Sequence, residues 1–240
     1  MVQLSYFGDG RDYFKYDLIT TFFEESGLRR YVFVPMLTLP RINSEGKIRP
    51  EEGKSKELLE FIRRVAHNKS LKHWRTWLES RAESYQTIEP ADSIFFKDIS
   101  REQYWKRFET ILSEEKALVF VDPDTGLQTG SVAYRKKHGA EKYLLNTELE
   151  LLLTGLHTTS VLMVYQHLTR DKNKQREGVN KKLAQVRKAY PSIYACAHRE
   201  GDLAFLFLAK SKRLIGEVFH VLDSYHERCT HHYKSLHKHA

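Results

Sequence analysis

The chain has 240 residues, of which 41% are hydrophobic and 29% charged, enough for one large globular domain with a full core. Its apolar runs, near residues 117–121, 160–165 and 203–209, are too short to cross a bilayer, and two cysteines argue against a disulfide scaffold. The net charge of +8 favours a polyanionic partner, most often nucleic acid, and the composition predicts a cytoplasmic protein without a membrane segment.

Apolar spacing predicts helices that alternate with strands along the chain. The predicted helices cover residues 12–25 with Asp12 as N-cap, 57–80 as one or two helices, 101–115 after Ser100, 146–156 capped at Asn146 or Thr147, 181–191 and 213–229. The predicted strands cover residues 29–37, 93–98, 116–123, 158–168 and a hairpin over 194–210 that turns at Glu200-Gly201-Asp202. Polar loops are predicted over residues 40–56 and 126–142.

This alternation predicts a Rossmann-like α/β fold, with a mostly parallel sheet, helices on both faces and a C-terminal antiparallel hairpin. We expect a single domain over residues 1–240, with a helical insertion at about 50–92. Ligands of such sheets bind beyond the carboxyl ends of the strands. Side chains that follow the strands are therefore the first candidates for a functional site.

The stretch "ALVFVDPDTGLQ" places two carboxylates at the end of an apolar strand. Asp122 and Asp124 could bind a metal, accept a hydrogen bond from an amine or act as a base, and Gly126 follows them closely. Asp, Pro and Gly are also ordinary turn residues, so a purely structural turn is the alternative. The position at the end of an inner strand favours function.

The amino-terminal segment "YFGDGRDYFKYD" crowds charged residues between aromatic ones. It leads into a predicted helix N-terminus, which favours an anion. Gly8, Asp9, Asp12 and Lys15 are the candidates for lining a cofactor or phosphate group. A solvated loop with a helix cap explains the same residues equally well.

A second inner strand ends in Tyr165-Gln166-His167, where Tyr165 and His167 are candidates for contacting a ligand. A dense basic segment follows the strand, and its density suits contacts with phosphates. A solvated charged face is the alternative. The candidate nucleic-acid contacts are Arg170, Lys172, Lys174, Arg176, Lys181 and Lys182.

These segments together resemble, in order, large-subunit ribosomal-RNA adenine-N6 methyltransferases. "YFGDGRDYFKYDLIT" resembles their H-x-G-N-x-A-D-x-x-K-H start, "ALVFVDPDTG" is similar to their D-P-P-Y strand end, and "SVLMVYQHLTR" resembles the strand before their W-Y-P turn. The whole chain more closely resembles an uncharacterised group of bacterial proteins with a Y-x-G-D-x-x-D-Y-x-K-Y start and a D-P-D-N-G-L turn.

The resemblance implies that Asp122 and a nearby carbonyl accept hydrogen bonds from the target amine, and that S-adenosylmethionine is the cofactor. The match is incomplete, because Asp124 replaces the second proline and Thr125 the aromatic residue that stacks on the base. Stacking is worth about 1–3 kcal/mol per base, so Tyr165 or Tyr6 would have to substitute. The first strand, "YVFVPMLTLPR", also lacks the glycine-rich turn that holds the cofactor.

Three hypotheses of function follow from these residues and from what the resemblance implies. The leading hypothesis is a methyltransferase-like protein that acts on nucleic acid with Asp122, Asp124, Tyr165 and His167, using S-adenosylmethionine held near Gly8, Asp9, Asp12, Lys15 and Gly126. The second is a metal-dependent nuclease or phosphoesterase with Mg²⁺ at Asp122 and Asp124. The third is a non-catalytic nucleic-acid-binding module on a degenerate enzyme fold. The leading hypothesis needs no resident metal.

Overall fold

A computed structural model describes Leu4 and residues 7–38, 55–87, 101–128, 139–169, 171–229 and 237–239. The strands are β1 Arg30–Pro35, β2 Ser84–Gln86, β3 Ala117–Asp122, β4 Gly126–Leu127, β5 Tyr143–Leu144, β6 Val161–His167, β7 Tyr194–Glu200, β8 Leu203–Ala209 and β9 His237–His239. The main sheet has the order β2-β1-β3-β6-β8-β7-β9, and β4 pairs with β5 beside it.

The strands β2, β1, β3 and β6 run parallel, whereas β8 runs antiparallel to both of its neighbours, β6 and β7. β9 in turn is antiparallel to β7. Because β8 is reversed, its first residues lie at the same sheet edge as the carboxyl ends of β3, β6 and β7. The predicted α/β fold with a mostly parallel sheet and a C-terminal hairpin is confirmed.

Helices cover both faces of the sheet. They are α1 Gly10–Glu25, α2 Lys56–Val65, α3 Lys72–Glu79, α4 Arg101–Lys106, α5 Asn146–Gly155, α6 Lys172–Ala189 and α7 Lys212–Cys229. One core lies between the sheet and α1, α2, α3 and α7, and the other lies between the sheet and α4, α5 and α6. In the described part of the chain, no helix combines the length and apolarity needed to cross a membrane.

The helix α1 begins at a different cap from the one predicted. Asp9 is the N-cap, and its Oδ1 accepts hydrogen bonds from the backbone N–H groups of Arg11 and Asp12 at 2.9 Å. The carboxylate of Asp12, predicted as the cap, instead accepts hydrogen bonds from Gly8 N and Lys15 Nζ. Both acids can cap a helix, so the sequence alone did not separate them.

The segment predicted as a helical insertion packs directly on α1. The ring of Tyr16 stacks on Trp74 of α3, with centroids 3.5 Å apart. Nε1 of Trp77 donates to Oγ1 of Thr20, which itself donates to the carbonyl of Tyr16. These contacts satisfy the buried hydroxyl of Thr20 and the indole N–H of Trp77, and they place α2 and α3 in the same core as the sheet.

Several boundaries differ from the prediction. α6 begins at Lys172, not at 181, because Asp171 caps it by accepting from Asn173 N. At the start of α5, the predicted caps Asn146 and Thr147 lie inside the helix, and Glu148 accepts from the N–H of Leu145. The predicted strand over 93–98, the cap Ser100 and most of the loop over 40–56 lie outside the described residues.

Candidate functional site

The candidate site lies at the sheet edge where β3 and β6 end and β8 begins, under the N-terminal half of α1. Asp122 ends β3, Tyr165 and His167 end β6, and Asp202 precedes β8. The helix α1 contributes charged side chains from its first two turns. Four segments that are distant in sequence therefore meet at one edge, as expected for this type of sheet.

Lys15 is the centre of this cluster. Its side chain is fully buried, and its Nζ lies 2.8 Å from Oδ2 of Asp122 and 3.3 Å from Oδ1 of Asp12. The same ammonium group lies 4.6 Å from the centroid of the Tyr165 ring. A buried charge needs a partner to offset its lost hydration. Asp12 supplies one carboxylate from α1 itself, and Asp122 supplies the other from the end of β3.

The two carboxylates hold Lys15 in its charged form. Burial alone would lower the pKa of Lys15, but the attraction of Asp122, and then of Asp12, outweighs burial and raises that pKa above its ordinary value. Burial raises the pKa of Asp12 to about 6, and the Lys15 charge only partly opposes this. The opposition is partial because the ammonium lies 3.3 Å from Asp12 but 2.8 Å from Asp122.

Three buried polar atoms at this edge make no hydrogen bond within the described part of the chain. They are Oδ1 of Asp122, the hydroxyl of Tyr165 and Nε of Arg11. Buried polar atoms in folded proteins are nearly always hydrogen-bonded to protein, water or ligand. Their presence at one edge of the sheet marks the place where a polar ligand would complete the hydrogen bonding.

A second ion cluster adjoins the first at the rim. Nη2 of Arg11 lies 2.6 Å from Oδ2 of Asp202, and Nε2 of His167 lies 3.3 Å from the same oxygen. The three side chains are 20% to 33% exposed, so this cluster faces solvent while Lys15 lies behind it. Neither Arg11 nor Asp202 was among the predicted site residues.

Asp202 should contribute to stability in a pH-dependent way. Burial would raise its pKa, but the hydrogen bond from His167 and the charge of Arg11 lower it to about 2. An unfolded Asp titrates near pH ~4, so this contribution is complete above that pH and is lost as the pH falls towards 2. We expect the difference in urea midpoint between wild type and Asp202→Asn to shrink between pH ~5 and ~3. A difference that stays constant would contradict this assignment.

Gly126 is needed for packing rather than for ligand contact. Its φ is +123°, and a Cβ atom there would lie 2.4 Å from Oε1 of Gln166. That side chain holds the turn together, since it accepts from Leu127 N and donates to the carbonyls of Thr125 and His167. The predicted cofactor-side position of Gly126 is thus filled by a side chain of the protein itself.

We expect Gly126→Ala to destabilise the fold by about 1–3 kcal/mol, because the left-handed backbone and the overlap with Gln166 both oppose a side chain. Gly178, in the interior of α6, has nothing within 4 Å of its Cβ position and is the matched control. Gly178→Ala should be neutral or stabilise by about 0.5–1 kcal/mol. Urea unfolding midpoints of the two variants test the contrast, and equal effects would refute it.

The other residues predicted for the cofactor side are also engaged within the protein. Asp9 caps α1, and Gly8 lies against Ile62 of α2 and Ala66, the C-cap of that helix. Asp12 and Lys15 form the buried ion pair described above.

Two other positions at this edge of the sheet are also buried. Beyond β1, the chain from Met36 to Leu37 is buried. Asp124 is buried in the turn after β3, next to Thr125, whose carbonyl accepts from His167 N.

The predicted basic segment forms the exposed face of α6. Lys172, Lys174, Arg176 and Lys181 are exposed, although Lys174 pairs with Asp171 and Lys181 with Glu177. Lys182 differs, because it is partly buried and its Nζ donates to the carbonyls of Leu127 and Gln128. Burial lowers the pKa of Lys182 to about 8. Arg170 lies outside the described residues.

No family model matches the sequence, and none of the curated proteins matches it. Among solved structures, the chain is similar to a Legionella pneumophila protein of the family designated DUF519. The TM-score is 0.45 at 11% sequence identity, and the match covers 96% of each chain. A likeness of this degree carries no argument about activity.

Proposed function

We propose that this chain is a Rossmann-like, methyltransferase-related protein that recognises an amine of a nucleic-acid base at Asp122. The main support is that Oδ1 of Asp122, a buried carboxylate oxygen, lacks a hydrogen-bond partner among the described residues. The other oxygen, Oδ2, is held by Lys15 at 2.8 Å, so the carboxylate is fixed in place. A carboxylate only accepts hydrogen bonds, and an exocyclic amine is a matching donor.

Tyr165 supports the same ligand class. Its hydroxyl is buried without a partner in the described part of the chain, and a phenol both donates and accepts. A base presents an amine beside a ring nitrogen, so it offers one donor and one acceptor at neighbouring positions. Asp122 and Tyr165 would pair with them respectively. The ring of Tyr165 is fully buried, which favours hydrogen bonding by its hydroxyl over stacking on its face.

Methyl transfer to that amine is the reaction we propose. The strand order supports it by fold-level analogy, because one reversed strand between the last two forward strands is the arrangement of Rossmann-like methyltransferases. S-adenosylmethionine would supply the methyl group. Gly8, Asp9, Asp12, Lys15 and Gly126 do not fit as its ligands, since their contacts are internal, and no step is assigned through the cofactor.

A non-catalytic nucleic-acid-binding module is the second candidate. One observation favours it: the chain beyond β1, where the resemblance places the cofactor, is buried at Met36 and Leu37 under the protein's own side chains. The magnesium alternative is weaker. The ammonium of Lys15 already contacts both Asp122 and Asp12, and a metal ion at Asp122 would have to displace it.

The exposed basic face of α6 is the proposed contact with the nucleic-acid backbone. A triple variant with Lys172, Lys174 and Lys181 changed to Gln should weaken binding to single-stranded RNA and reduce the salt slope of log K by about 2. The control is a triple variant of Lys56, Lys69 and Lys72 to Gln, at exposed positions of α2, of the connection after it and of α3. Equal slopes for the two variants would remove α6 from the interface.

Methyl transfer is tested by incubating the full chain with radiolabelled S-adenosylmethionine and total RNA or DNA, alongside calorimetric titration of the cofactor. Label incorporated by wild type and lost in Asp122→Asn supports the proposal. Nucleic-acid binding that depends on Asp122, with no cofactor binding at millimolar concentration, selects the binding module. If neither transfer nor Asp122-dependent binding occurs, both candidates fail.

A further inference from the structure

The rim cluster of Arg11, His167 and Asp202 contains a residue to which the sequence assigned only a turn. Asp202 occupies the tight connection between β7 and β8, after Gly201 with its φ of +59°. One carboxylate oxygen, Oδ2, contacts both Nη2 of Arg11 and Nε2 of His167. A carboxylate that only closed a hairpin would not need two partners from α1 and β6.

The contact between Oδ2 of Asp202 and Nε2 of His167 determines which nitrogen of the neutral His167 ring carries the proton. A carboxylate accepts hydrogen bonds and does not donate them, so Nε2 must be the donating nitrogen in the neutral ring. Nδ1 is then a hydrogen-bond acceptor, and it makes no hydrogen bond to any residue that the structure describes. The ring is 26% exposed, so Nδ1 is available to a ligand at the rim.

The rest of the site lies beside this acceptor. His167 and Tyr165 are two residues apart on β6 and therefore share a face of the sheet, and Lys15 lies over the Tyr165 ring. The backbone N–H of His167 donates to the carbonyl of Thr125, which anchors the end of β6 to the turn after β3. The acceptor nitrogen is thus held at the same edge as the free oxygen of Asp122.

We propose that Asp202 is a positioning residue, which fixes His167 as its Nε2–H tautomer so that Nδ1 accepts a hydrogen bond from an N–H group of the ligand. The identity of that ligand as a base amine rests on the proposed function. The tautomer itself does not, because it follows from the contacts of Asp202. Arg11 contacts the same oxygen, Oδ2, and its positive charge keeps the carboxylate ionised.

The tautomer is measured by long-range ¹H–¹⁵N NMR spectra of the full chain at pH 8 with labelled histidine, and His167→Gln identifies the signals. We expect wild type and Asp202→Asn to show the Nε2–H form, since the amide oxygen of Asn also accepts a hydrogen bond. Asp202→Ala should shift the signals towards a mixture of tautomers. Unchanged signals in Asp202→Ala, with the protein folded, would overturn the inference.

Binding of a short RNA oligonucleotide to wild type, Asp202→Asn and Asp202→Ala separates the positioning role of Asp202 from the proposed function. Asp202→Ala should bind about tenfold more weakly than wild type, and Asp202→Asn should retain most of the affinity. The expected tautomers without any RNA binding by wild type would reject the proposed function and leave the positioning role intact. RNA binding by a wild-type protein whose His167 is not in the Nε2–H form would reject the positioning role and leave the proposed function intact.

Discussion

Replacing Lys15 with methionine should destabilise the protein by about 3–5 kcal/mol, the usual cost of removing one partner from a buried ion pair. Methionine fills much of the volume of the lysine stem but leaves the carboxylates of Asp122 and Asp12 buried without their cation. A domain of this size is stable by only ~5–15 kcal/mol. The loss should therefore be obvious as a lower urea midpoint.

The double variant Lys15→Met/Asp122→Asn should recover part of that loss, because the uncompensated charge at Asp122 is gone. Lys106→Met is the matched control, since Lys106 forms an exposed pair with Glu102 and should leave the midpoint unchanged. If Lys15→Met behaves like this control, the buried pair is not what holds α1 to β3.

The pH dependence of Lys15→Met gives an independent check. Burial already raises the pKa of Asp12 to about 6, and loss of the Lys15 charge should raise it further. A carboxyl group whose pKa is higher in the folded state stabilises the fold when protonated and loses that contribution as the pH rises. The stability deficit of Lys15→Met should therefore be smaller at pH 5 than at pH 8. A larger deficit at pH 5 would contradict the assignment.

Replacing Asp122 with asparagine should reduce methyl transfer about 100-fold or more, if the chain transfers a methyl group as proposed. Asparagine has nearly the same shape but lacks the charge that strengthens the hydrogen bond from the amine. If the chain only binds nucleic acid, the same variant should weaken binding by about tenfold or more. Initial rates and equilibrium titrations with one oligonucleotide distinguish these outcomes.

Two further variants separate recognition from folding. Asp12→Asn also removes a partner of Lys15 but leaves Asp122 in place, so it should retain most of the activity. Asp171→Asn replaces an exposed N-cap with an equally good one and controls for the loss of a negative charge. Equal losses in Asp122→Asn and Asp12→Asn would mean that the ion pair only supports the fold.

Local pattern was sufficient for most elements of the sheet. The runs around Val119 and Val164 are apolar without interruption, which is typical of strands buried on both faces. The turn at Gly201 was equally readable, because few residues besides glycine favour a positive φ. Helix ends were less predictable. For α1, the sequence predicted Asp12 as the N-cap, whereas Asp9 caps the helix.

The partners within the candidate site could not be read from local sequence. Lys15 and Asp122 are separated by 107 positions, and Arg11 and Asp202 by 191. No periodicity or turn rule acts over such distances. Asp202 carried only the signal of a hairpin turn, and Gln166 only that of a strand end, although Gln166 fills the space beside Gly126.

The order of apolar and polar residues determined the fold class and the chain positions at which strands end in charged groups. The reason is that the spacing of apolar residues along a short stretch decides whether a helix or a strand can bury them. The tertiary structure alone decided that Lys15 neutralises Asp122, that Asp202 joins Arg11 to His167, and that Gly126 faces a side chain. Electrostatic pairing depends on distance in space, and only the folded sheet brings these groups within a few ångströms of one another.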